Sequence, residues 1–367
     1  MRRRSRLLIL FVLALAPWLS PGLTVTAQTD ETSRKIAFKT HDEVTLQGIL
    51  YRSKKGANSP TVLILHSYGV DPNKGDWSGL AKTLANEGFN VLRFDFRGHG
   101  ESKIVNASKF WSDPINASQL STLARKKPDI IDFKNFPGKD GGNYFPRLAD
   151  DIMAARVALD QLNDNSEINT RSTYLIGSTD AVNLGFLYLT AEWSRPQKMP
   201  PFLIGMGQLV LSLPTPNGLS GVEPAALDVA GAIWLSPAKH RSIPDKLLQQ
   251  WVQAAPELRE RTPMLFIYGD QDTVGRSTSR FFLDQVLAAG TTRPGLPKLV
   301  HTTYRAIKNT KLSGAELLGK GATLGTEKMI VDYLNTLEKE RLNLIRVTNR
   351  GFSSPPPINL PYFGVCR

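Results

Sequence analysis

The stretch Thr173–Leu189 carries residues whose types and spacing could do chemistry. It reads Thr-Tyr-Leu-Ile-Gly-Ser-Thr-Asp-Ala-Val-Asn-Leu-Gly-Phe-Leu-Tyr-Leu. Tyr174-Leu175-Ile176 has the length and bulk of a buried strand, and Gly177 stops it. Val182, Leu184, Phe186, Leu187 and Leu189 then recur as a helix would place them. A strand, a sharp turn and a helix in so few residues is the geometry of a nucleophile elbow. Such a turn lifts one side chain over a parallel sheet, with a helix N-terminus behind it. The pattern for that turn is Gly-x-Ser-x-Gly, and here it is Gly177-Ser178-Thr179-Asp180-Ala181. The apex is therefore Thr179. A threonine hydroxyl can attack a carbonyl, but it needs a base to take its proton. Its methyl group also stiffens the side chain and crowds a tight turn.

Elements that could position such a turn alternate along the chain. Lys35–Phe38 and Val44–Tyr51 predict two strands around a polar turn. Thr61–Leu65 is a continuous apolar run, as expected of a strand buried on both faces. A helix is predicted over Trp77–Glu87 with Gly88 as its stop, then a strand over Asn90–Phe96. Periodicity is lost from Lys103 to Tyr144. That segment holds two glycosylation sequons, Asn106-Ala107-Ser108 and Asn116-Ala117-Ser118. Further helices are predicted over Pro146–Leu162, Ile243–Ala254, Ser277–Ala288 and Thr326–Leu342. Further strands are predicted over Gly231–Leu235, Pro263–Tyr268 and Lys298–Ile307. Strands alternating with helices imply right-handed crossovers and an α/β, doubly wound, mainly parallel sheet. Ligands bind such sheets at the carboxyl ends of the strands, and His66, Arg97, Thr179, Pro237 and Asp272 all fall at such ends.

The chain has 367 residues, enough for one large domain. Residues 1–27 read as a cleaved signal peptide. Arg2, Arg3, Arg4 and Arg6 form a positive start, Leu7–Ala16 an apolar run, and Val25-Thr26-Ala27 offers small residues for cleavage. A secreted or periplasmic protein is expected. Removing four arginines takes the net charge from +12 to +8, a balance suited to an anionic surface. Nothing predicts a nucleic-acid partner. The single cysteine, Cys366, excludes an intramolecular disulfide. No Cys/His cluster or His-Glu-x-x-His occurs, so neither a metal nor another cofactor is expected. Residues 30–342 are expected to form the domain, with an insertion at 103–144 and a small cap or loop at 195–224. Residues 343–367 are expected to form a Pro-rich tail.

Three motifs add a resemblance. Leu65-His66-Ser67-Tyr68-Gly69 is similar to a His-Gly-x-Gly oxyanion loop. Arg93-Phe94-Asp95-Phe96-Arg97-Gly98-His99-Gly100-Glu101-Ser102 is similar to a post-strand signature. Gly269-Asp270-Gln271-Asp272 matches Gly-x-x-Asp. From about Lys35 to Leu342 the chain resembles the α/β-hydrolase superfamily, in its serine aminopeptidase and monoacylglycerol lipase-like branch. The resemblance implies a triad at Thr179, Asp272 and a histidine after the last strand. No histidine follows His301, and Lys311 is the best-aligned substitute. Tyr68 and Asp180 backbone N–H groups become the expected oxyanion donors, and the Asp180 carboxylate is expected close to where negative charge would develop. An ion pair between Asp272 and Lys311 would hold the lysine protonated and useless as a base. His66 and His99 are expected to organise loops. These substitutions predict an exported pseudoenzyme, weakly active or inactive, that binds a small ester, amide or lipid-like ligand or a partner. The alternatives are a working esterase, lipase or aminopeptidase using Thr179, or a structural envelope-associated protein.

Overall fold

A computed structural model describes residues 33–198, 223–288, 301–319, 321–352 and 354–366. The expected signal peptide and residues 199–222 of the expected cap lie outside them. Nine strands form one sheet: β1 (Ser33–Lys39), β2 (Val44–Tyr51), β3 (Thr61–Leu65), β4 (Asn90–Phe94), β5 (Ile104–Val105), β6 (Thr173–Ser178), β7 (Val229–Leu235), β8 (Met264–Gly269) and β9 (Thr303–Ile307). The order is β1-β2-β4-β3-β6-β7-β8-β9, with β5 on β2. Pairs involving β2 are antiparallel and all others parallel, so the sheet is mixed and mainly parallel.

Alternation along the central strands builds two apolar layers. Val62, Ile64, Tyr174, Ile176, Ile233 and Leu235 face the helices Trp77–Glu87 and Thr326–Lys339. Leu63, Leu65, Leu175, Ala232, Trp234 and Phe266 face Ala149–Asp164, Ala181–Ser194 and Asp245–Ala254. Each such side chain contributes about 1.5–3 kcal/mol by leaving water. Register sets the functional edge. Leu65 lies opposite Gly177, Ser178 opposite Leu235, and Gly269 opposite Ile307, so the residues after these strands stand in a row.

Several boundaries differ from the sequence reading for local reasons. β4 stops at Phe94 because Asp95 N–H turns to Gln47 O and Phe96 N–H to the His66 ring. The helix expected from Ser277 starts at Thr273, because Asp272 caps it. Its last turns, Phe282–Leu287, widen into a π-helix. His301 precedes β9 instead of lying inside it, and hydrogen-bonds Glu340. The 103–144 segment holds three short helices and a 3₁₀ turn.

A buried charged cluster ties this segment to the sheet. Arg97 is fully buried. Its guanidinium donates to Asp42 at 2.8 Å and to Asp151 at 2.7 Å. The Arg97 charge holds Asp42 well below the usual carboxylate range against the opposing effect of burial. Asn116 donates to the same Asp42 at 2.8 Å and accepts from Tyr144 Oη at 2.9 Å. Asn116 is fully buried, so the second sequon is closed to glycosylation in the folded protein; its amide is consumed by this cluster.

Residues after 342 pack onto the domain. Arg350 is buried and ion-pairs with Asp228 at 2.6 Å and Asp160 at 3.2 Å. Ile358, Leu360, Phe363 and Val365 join the core, and Ile358 N–H donates to Asp150 at 2.7 Å.

Helix Ala181–Ser194 approaches the sheet closely because Gly185 lacks a side chain. A Cβ there would lie 2.1 Å from the Trp234 ring, and one at Gly177 would lie 2.8 Å away. Gly185→Ala is therefore expected to overpack this contact and cost about 2–3 kcal/mol. Urea unfolding should show a lower midpoint with an unchanged slope.

Candidate functional site

Thr179 stands between β6 and the helix Ala181–Ser194 with φ of 48°. That conformation is strained for a β-branched residue. Neighbouring backbone over-determines it: Thr179 N–H donates to Leu235 O at 2.9 Å, and Ala238 N–H donates to Thr179 O at 3.0 Å. The elbow geometry read from the sequence is thus present.

The oxyanion loop follows β3 and is held by two histidines. His66 Nδ1–H donates to Ser67 O at 2.8 Å, while Nε2 accepts from Phe96 N–H at 3.0 Å. His99 Nδ1–H donates to Arg97 O at 3.0 Å, while Nε2 accepts from Gly69 N–H at 2.9 Å. Burial pushes His66 down to about 3 and His99 down to about 4, so both rings are neutral near pH 7. They organise loops, and neither has a ring nitrogen left for proton transfer.

The loop's donors are aimed at Asp180. Tyr68 N–H donates to Asp180 Oδ1 at 3.1 Å, and Ser67 Oγ donates to the same oxygen at 2.8 Å. Thr179 Oγ1 lies 3.4 Å from it and also donates. Asp180's own backbone N–H further favours its charged form. One of the two expected oxyanion donors, Tyr68 N–H, therefore serves a carboxylate that the chain itself supplies. Burial is the larger effect and pushes Asp180 up to about 6, with the Ser67, Tyr68 and Thr179 bonds opposing it.

Asp272 lies beyond β8 and caps helix Thr273–Phe281, accepting from Gly275 N–H at 2.9 Å. Its Oδ2 is buried with no hydrogen-bond partner. Ser236, whose backbone packs on Gly275, is likewise buried with an unpartnered Oγ and a φ of 43°. The loop after β9 docks beside this strand end: Asp270 accepts from Asn309 and Thr310 N–H, and Gln271 N–H donates to Thr310 O.

The expected ion pair between Asp272 and Lys311 does not form. The Asp270 carboxylate, accepting from Thr310 N–H, and the Gln271 N–H, donating to Thr310 O, fix the loop, and Lys311 is exposed to water. Gly314 is the loop residue that meets the elbow; a Cβ there would lie 2.8 Å from Thr179 Cγ2. The remaining histidines are occupied elsewhere. His41 accepts from Arg147, His240 stacks on Phe145 and bonds Asp140 O and Ser242, and His301 bonds Glu340. None of the five histidines hydrogen-bonds Thr179 or Asp272.

Two features of the site were missed in the sequence. Gly314 left no signal beyond its place in the loop. The Ser67–Asp180 bond left half a signal: Ser67 departs from the His-Gly-x-Gly loop, but Asp180 occupies an x position of the elbow pattern. Among the described residues no group of His, Cys, Asp or Glu is placed to hold a metal ion.

No family model matches this chain, and no curated protein matches it. Solved structures give distant likenesses. An esterase from Pyrococcus furiosus aligns at 13% identity and TM-score 0.45, covering 83% of this chain and 90% of its own. A dienelactone hydrolase from Anabaena variabilis aligns at 13% and 0.44, covering 83% and 98%. A thermostable carboxylesterase cloned from a metagenomic library aligns at 12% and 0.46, covering 83% and 88%. Such scores carry no residue role across. The strand order, the antiparallel second strand and the elbow after the central strand define an α/β-hydrolase fold on their own.

The raised Asp180 carboxyl gives a signed expectation. A carboxylate raised on folding holds its proton where the unfolded chain has lost it, so its contribution to stability falls as pH rises from about 4 through about 6. Asp180→Asn removes that loss. Its stability gain over wild type is expected to grow by about 1–2 kcal/mol between pH 4.5 and 7.5, allowing for partial exposure. Denaturant melts of both proteins at the two pH values measure it; a difference independent of pH would contradict an uncompensated Asp180 charge.

Proposed function

We propose that this α/β-hydrolase-fold protein is an exported pseudoenzyme whose elbow no longer turns over esters or peptides. One observation carries the reading: the Asp180 carboxylate accepts from Tyr68 N–H and Ser67 Oγ, so the expected oxyanion position already holds a negative oxygen. An acyl-transfer intermediate develops its charge at that place, and loss of even one oxyanion donor costs about 10²–10³ in rate. The missing base compounds the effect. Thr179 has a strained, crowded hydroxyl, and among the described residues no histidine or lysine hydrogen-bonds it. Asp272 has lost its partner and serves as a helix cap. The strand ends around the elbow then function in binding a small ester, amide or lipid-like molecule, and the leader at 1–27 directs export.

The assay is hydrolysis of short-chain nitrophenyl esters by wild type and Thr179→Ala. Wild type is expected to match Thr179→Ala and the uncatalysed rate. Robust turnover that Thr179→Ala abolishes would instead establish a working threonine hydrolase. A panel of such esters, amides and fatty acids is expected to include one that raises the melting temperature, since a ligand specific to the native state stabilises it by mass action. A flat response across the panel favours a structural role.

A further inference from the structure

The amino end of the sheet, opposite the elbow, carries a second surface. A groove of about 820 Å³ runs between the loop Lys55–Pro60, the segment Asn169–Ser172 and the end of helix Thr326–Lys339. Leu342 and Leu344 line it. Leu342 is 72% exposed and the neighbouring Ile345 85% exposed. Three large apolar side chains within four residues are thus left in water, which marks a contact surface more than scattered exposure does.

Cations surround them, and their partners are neutral. Arg341 donates to Ser172 Oγ and to the carbonyls of Arg171 and Leu227. Arg346 donates to Asn163 O and Asn58 Oδ1. Lys55 Nζ donates to Glu87 O. Lys54 and Lys339 are exposed, and neither side chain has a hydrogen bond or ion pair among the described residues. Of the acids nearby, Asp332 pairs with Lys328, Glu340 bonds the His301 ring, and Glu338 accepts from the neutral Tyr174 Oη and acts on Arg341. Against Glu87, Glu338 and Glu340 stand Lys54, Lys55, Lys339, Arg341 and Arg346, so the face keeps an excess of positive charge around an apolar centre.

The chain enters the fold at this end. Ser33, the first residue of β1, pairs with Tyr51, three residues before Lys54. Arg34 and Arg52 share Glu167, which lies two residues before the groove residue Asn169.

We infer that this face docks on an anionic phospholipid bilayer, with Leu342, Leu344 and Ile345 entering the interface and Lys54, Lys55, Lys339, Arg341 and Arg346 meeting the headgroups. Basic side chains near such a surface and buried apolar side chains act together. The inference is independent of what the elbow does.

The test is cosedimentation of the full chain, recovered from an exporting host, with phosphatidylcholine vesicles with and without phosphatidylglycerol. Wild type is expected to prefer the anionic vesicles and to be released by salt. Lys55→Gln with Lys339→Gln is expected to weaken that binding roughly 10–30-fold, on the scale of two surface cations. Leu344→Asp with Ile345→Asp should weaken it at least as much. Ile104→Asp with Ile130→Asp changes two exposed apolar residues near the other end of the sheet and should leave binding unchanged. Circular dichroism verifies that each variant is folded. Equal binding by all variants would place the contact in another segment, and indifference to phosphatidylglycerol would remove the electrostatic component; either overturns the inference.

Discussion

Arg97 is the interaction on which the carboxyl end of the sheet depends. Its guanidinium is fully buried between Asp42 and Asp151, and its backbone N–H also donates to Asp151. Removing one partner of such a pair leaves an uncompensated charge, at about 3–5 kcal/mol. The consequence extends beyond stability. Arg97 O anchors His99, His99 anchors Gly69 N–H, and His66 joins Phe96 to Ser67. The loop that delivers Ser67 and Tyr68 to Asp180 is thus positioned by a charge cluster that never touches it. Buried polar groups of this kind fix a unique geometry when every member is satisfied.

That geometry explains why the elbow turn does not depend on the side chain at its apex. The turn is clamped by Leu235 and Ala238, and glycines at 177 and 185 admit the Trp234 ring. These are packing requirements and would survive any change of the apex side chain. The triad positions carry no such requirement. Asp272 serves as a cap, and the loop of Lys311 and Gly314 is tied down by the Asp270 carboxylate, which accepts from Asn309 and Thr310 N–H without calling on Lys311.

The strands and the elbow were legible in the sequence because their signals are local. Thr61–Leu65 is apolar throughout and is buried throughout. The Gly177–Ala181 frame specifies a turn whatever surrounds it. Side-chain direction was not legible. Whether the Asp180 carboxylate points into or away from the oxyanion position depends on Ser67, more than a hundred residues distant, and no periodicity encodes that pairing. The choice between Lys311 and Gly314 depended on where Asp270 ties down the loop. Asn116 satisfies a surface motif yet is consumed by Asp42 and Tyr144, partners that only the tertiary fold supplies.

The packing of residues 350–365 has a consequence for the order of synthesis. Asp228 and Asp160 receive Arg350 from a segment made at least 122 residues after them, and Ile358, Leu360 and Phe363 fill core positions beside helix Ala149–Asp164. A nascent chain that has not yet reached residue 350 lacks these groups, so its core is open and one buried charge cluster is incomplete. The same arrangement makes the carboxyl terminus a poor place for truncation, and it makes an early stop codon a folding defect instead of a trimmed tail.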